Sequence, residues 1–220
     1  MSARVTFRIA GIALIAGAVL SFLTSLLTSL LFSGNDPTPY AGNPLFVPVN
    51  LLSVLGTALL LFGLPLLYVS RPEGWGVLGL VGFALLFATG VMFGVFFSLF
   101  SALFVPYLVQ HAPSVVKGTD GPPGLFPFFI LGTIFEVIAA VLIAVPMIRG
   151  LVANRSIGYV LIAAAVLAVV GFFVGGGNSP NPLLALVGNL SSLLLFIALG
   201  WLGYLLWMGH AGFWGRLVDR

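Results

Sequence analysis

Six stretches of this chain are long and apolar enough to cross a bilayer, and they fix most of what it can become: 9–32, 49–68, 75–109, 125–148, 156–175 and 183–208. A hydrocarbon layer about 30 Å thick takes roughly 20 residues of helix. Within it no water satisfies the backbone, so a span is either a helix or a strand of a closed barrel. Barrel strands are short and alternate in polarity. These runs do neither, so all six are expected to be helices.

Composition excludes the soluble alternative. With 60% hydrophobic and 6% charged residues over 220 positions, the chain cannot cover a water-facing surface. The expected class is all-α: one polytopic membrane domain spanning 1–220, a six-transmembrane-helix bundle. The third run exceeds a straight crossing, so it is tilted, kinked near Gly90 and Gly94, or extended toward Pro106. Cysteine is absent, which excludes disulfides, Fe–S ligation and thiolate nucleophiles.

Orientation follows from the basic residues. Arg4, Arg8, Arg71, Arg149, Arg155, Arg216 and Arg220 flank the runs on one side, and of the 8 Lys and Arg only Lys117 falls on the other. The positive-inside rule then places both termini in the cytoplasm, in a plasma (inner) membrane of bacterial type. The formal charge of +3 therefore reads as topology and not as a nucleic-acid footprint. Connections 33–48, 110–124 and 176–182 face outward, and their Gly, Pro and Asn content suits ordered turns or lids. The first run follows basic residues and holds Ala16-Gly17-Ala18, as a signal peptide would, but its length marks an uncleaved span. Trp75, Trp207, Trp214, His111 and His210 are expected at the membrane boundaries.

A faint repeat runs through the chain. Arg8-x-x-Gly11, Arg71-x-x-Gly74 and Arg155-x-x-Gly158 each open a run, and Asn43-Pro44-Leu45 is echoed by Asn181-Pro182-Leu183. Duplicated helical hairpins explain this; so does the common way a basic membrane entry is written. Small-residue pairs at Gly90 and Gly94, Gly171 and Gly175, and Ala13 and Gly17 permit close approach of internal neighbours.

Polar side chains within the runs are unevenly distributed and concentrate in their outer halves. Ser21, Thr24, Ser25, Thr28 and Ser29 form one helical face; Asn50, Ser53 and Thr57 share another; Ser98, Ser101, Asn189, Ser191 and Ser192 also lie outward. A single hydroxyl is expected to bond back to its own helix. Amides and carboxylates need more. Glu136 lies at the centre of run 125–148, with Thr133 one turn outward on the same face. It can serve as a protonated structural group, as a proton or cation site, or as a contact to a partner helix. The candidate binding set is Glu136, Thr133, Ser25, Asn50, Thr57 and Asn189, expected to converge as an outward vestibule with Glu136 at its floor.

No catalytic constellation, phosphate loop or cofactor motif occurs, and the two histidines lie at opposite faces, which disfavours a bis-His haem or metal site. Catalytic residues, metal ligands and cofactors are therefore none. Expected partners are the lipid bilayer, a small-molecule or proton ligand, and other membrane subunits, with no nucleic acid.

The length, span count and Arg-x-x-Gly openings resemble an uncharacterised six-span bacterial membrane family known as a domain of unknown function. The topology is also similar to the substrate-capturing subunits of energy-coupling-factor vitamin transporters, which implies an outward site and a small-residue docking ridge on the first helix. Glu136 matches no motif of that family. The function expected is binding or transport of a small molecule or proton at Glu136; the alternative is a non-catalytic accessory subunit of a larger membrane complex.

Overall fold

The computed structural model describes residues 3–34, 36–116, 125–174 and 181–209. Among these, every regular element is a helix: α1 Ala3–Leu31, α2 Phe46–Ser70, α3 Pro72–Thr89, a π-helical segment Gly90–Phe97, α4 Ser98–His111, α5 Pro113–Val116, α6 Leu125–Ile148, α7 Arg155–Val174, α8 Pro182–Gly188 and α9 Leu190–Met208. The spans are α1, α2, the continuous α3–π–α4 rod, α6, α7 and α9, six helices long and apolar enough to cross a membrane. An even number of crossings brings Ala3 and Met208 to one side, here called the terminal face. Lys117, Arg216 and Arg220 lie outside the described residues, as do His210 and Trp214.

The helices form a closed ring. α1 packs broadly on α2 and α9, α7 links α9 to α6, α6 lies along α3, and α3 returns to α2. Lipid supplies no hydrophobic drive between helices, so close packing must hold them together. Gly17 provides it between α1 and α2: a Cβ there would stand 2.6 Å from the Gly56 carbonyl oxygen. The glycines of the Arg-x-x-Gly triplets also lie at contacts. Gly11 meets Gly203 and Trp207, Gly74 meets Leu151 and Val152, and Gly158 meets Ala144, Met147 and Ile148. Each motif thus has a packing reason near the terminal face. Leu14, Leu67, Ile143, Met147, Leu161 and Leu202 are completely buried there. Trp75, expected at the membrane boundary, joins them at 1% exposure. Its indole N–H donates to the Leu67 carbonyl at 3.2 Å, and its ring meets Phe83 edge-on. Trp207 and His111 remain exposed, with Trp207 against Tyr204 and His111 stacked on Tyr107.

Two spans depart from simple helices. The third bends at Gly76, whose φ of 57° only glycine adopts readily, and then passes through the π-helical turns at Gly90–Phe97. Ser98 helps to set that register, since its hydroxyl donates to the carbonyl of Phe93, five residues back, at 3.3 Å. The sixth run, expected to be one helix over 183–208, is broken at Asn189, where ψ is 3°. The Asn189 side-chain amide donates to the Ala185 carbonyl at 3.0 Å and to the Ser29 hydroxyl of α1 at 2.9 Å. An amide that finds partners off its own helix ladder favours such a break.

Opposite the terminal face, the connection between α1 and α2 folds as a compact turn. Phe32, Tyr40 and Phe46 form an aromatic cluster, the Tyr40 hydroxyl donates to the Gly34 carbonyl at 3.1 Å, and Asp36 accepts from the Thr38 N–H at 2.9 Å. Burial, and secondarily the Asp36 charge, push the Tyr40 phenol above its usual pKa.

Candidate functional site

Glu136 stands at mid-length on α6 because an uninterrupted apolar helix carries it there. Its side chain lines a cavity of about 110 Å³ at the centre of the ring. α2 contributes Thr57, Leu60, Leu61 and Leu64; the third span contributes Leu86, Thr89, Gly90, Phe93 and Gly94; α9 contributes Ser192, Leu195, Phe196 and Leu199. The wall is mostly Leu and Phe, with Glu136, Thr57, Thr89 and Ser192 as its polar side chains.

These four differ in how they are satisfied. The Thr89 hydroxyl donates to the Leu85 carbonyl of its own helix at 3.0 Å. Among the described residues, no hydrogen bond or ion pair engages the Glu136 carboxyl or the hydroxyls of Thr57 and Ser192. Polar groups in a low-dielectric interior are nearly always paired. Glu136, Thr57 and Ser192, from three different helices, are thus the unpaired polar side chains of the cavity lining.

Glycines shape the wall of the third span. Gly90 and Gly94 face Leu61 and Thr57 across the seam with α2, and a Cβ at Gly94 would collide with the Thr57 side chain. Both belong to the π-helical segment, a form rare in proteins and frequent at functional sites. On the side away from the terminal face, Phe93 stacks on Phe129 at 5.6 Å and meets Phe128 edge-on at 5.8 Å. Gly132 makes room for the Phe93 ring, since any Cβ there would strike it. An aromatic layer thus adjoins the cavity between the π segment and α6.

The residues expected to converge on Glu136 are distributed over several seams. Thr57 shares its cavity. Asn50 donates to the Phe46 carbonyl at 2.8 Å and Thr133 to the Phe129 carbonyl at 2.9 Å, each within its own helix. Asn189 binds Ser29 at the junction of α1 with α8 and α9, and the backbone carbonyl of Ser25 accepts from the Ser29 hydroxyl at 2.9 Å. Ser53 meets Ser98 at 3.3 Å between α2 and α4. Back-bonding to the preceding turn, seen also for Thr24, absorbs part of the outward pattern, while the buried Ser21 hydroxyl has no partner among the described residues. Ser192 belongs to that pattern too, but only the closing of the ring through α1 and α7 brings α9 and this residue onto the same cavity as Glu136. Thr89 is a lone hydroxyl in an apolar helix, with no signal in the sequence.

Among the described residues, no group of three or more His, Cys, Asp or Glu side chains comes together. Comparison with protein-family models, curated proteins and solved structures returns no match for this chain.

Proposed function

We propose that this integral membrane protein binds, and moves across the bilayer, a proton or a small molecule that engages Glu136 in the central cavity. The observation that carries the reading is the carboxyl itself, unpartnered and facing a cavity at mid-span. An acidic side chain at the centre of a membrane helix is about 3 kcal/mol less favourable than a leucine. A structural role would offset that cost with a fixed partner, and none occurs among the described residues. Thr57 and Ser192 supply further polar groups beside it. The π-helical segment that walls the cavity is a form frequent at functional sites. We further propose that both termini lie in the cytoplasm and that access runs from the opposite face past Phe93, Phe128 and Phe129.

The test is the infrared carboxyl band of the purified protein in nanodiscs, identified as that of Glu136 by its loss in Glu136→Gln. It should titrate with external buffer between about pH 4 and pH 10. A band that stays fixed over that interval would show a sealed structural carboxyl and overturn the proposal.

A further inference from the structure

The cavity is too small for most ligands, and its size combined with its polar groups narrows the class. Typical small-molecule pockets hold about 300–1,000 Å³, and a dry cavity of about 150 Å³ accepts benzene. At about 110 Å³ the interior of this half-open one suits a molecule of about six non-hydrogen atoms or fewer. Its only ionisable group is a carboxyl, and no basic residue lines it, so it offers an anion no countercharge. A divalent metal ion would find a single carboxylate and three hydroxyls, short of the six or more oxygens that calcium takes. Glu136, Thr57 and Ser192 present acceptor oxygens whose partners are missing, which the three N–H donors of a primary ammonium can supply. Leu61, Leu195 and Phe196 supply an apolar wall for a short alkyl chain.

From this geometry we infer that the cavity is a binding site for a small primary alkylammonium ion of about four to six non-hydrogen atoms. The inference rests on the reading of Glu136 as an ion-binding group. The ammonium donates to the Glu136 carboxylate and to the hydroxyl oxygens of Thr57 and Ser192, and the alkyl chain lies along the leucines. A quaternary ammonium fits by charge yet leaves both hydroxyls unpaired. A longer amine leaves part of its chain outside the cavity. With five non-hydrogen atoms, affinity is limited to roughly micromolar.

The experiment is calorimetric titration of the protein in nanodiscs with n-butylammonium, tetramethylammonium, n-octylammonium and 1-butanol, run beside the infrared titration of Glu136. Empty nanodiscs correct for partition into lipid. The expected result is saturable binding of n-butylammonium, at least about tenfold weaker for Glu136→Gln and about tenfold weaker for the other three probes. Equal binding of 1-butanol would reduce the site to an apolar cavity and overturn the inference. Failure of every probe while the Glu136 band titrates would also overturn it, leaving a proton site and the function proposed above intact. Failure of every probe with a fixed band would overturn both.

Discussion

Replacing Glu136 by leucine should make this protein more stable and inactive at once. Were the carboxyl a structural anchor, leucine would break its bonds and lose about 0.6–2 kcal/mol, the range for interhelical hydrogen bonds in membranes. No such bond occurs among the described residues, so nothing is lost on that side. On the other side, exchanging an acidic group for leucine at mid-span is worth about 3 kcal/mol on insertion scales. Because Glu136 faces a cavity with room for several waters, part of that penalty is already relieved, and a gain of about 1–3 kcal/mol is the working figure. Leucine also fills space beside Leu61, Leu195 and Phe196 without introducing charge. At roughly 2–4 °C per kcal/mol for a chain of this length, the midpoint of thermal unfolding in detergent should rise by about 2–12 °C. Ammonium binding and the titrating carboxyl band should both vanish. Such opposition between stability and activity is the mark of a group retained for function. A fall in the unfolding midpoint of several degrees for Glu136→Leu, with Glu136→Gln unchanged, would refute the reasoning by revealing a hydrogen-bonded structural carboxyl.

Gly94→Ala drives a methyl into the Thr57 side chain and should destabilise the protein by about 1–2 kcal/mol, overpacking offset in part by better helix propensity. Thr57→Ala in the same chain should recover part of that loss, and a Gly94→Ala variant as stable as the parent in denaturant titration would argue against the observed α2 seam. For topology, the natural absence of cysteine permits clean single-cysteine labelling. Gly42→Cys should react with an impermeant maleimide from outside intact cells, while Pro72→Cys and Asn154→Cys should react only after permeabilisation; the reverse pattern would invert the membrane orientation.

What the sequence determined by itself is whatever depends on transfer from water to lipid, because that energy is local and additive along the chain. The six spans, the all-helical class and the central depth of Glu136 follow from run length and polarity alone, and α6 matches its expected bounds of 125–148. Side-chain partners were less legible. A serine, threonine or asparagine in a helix can bond to the preceding turn or reach across a seam, and the two read alike in sequence. Tertiary packing decided that Asn50 and Thr133 turn back to their own helices, while Asn189 reaches Ser29 and breaks its span. It likewise turned Trp75 into the bundle, where the Leu67 carbonyl accepts from its N–H. The cavity is a product of ring closure. Thr57, Glu136 and Ser192 lie far apart along the chain on three helices, and only the order in which those helices pack gives them one wall.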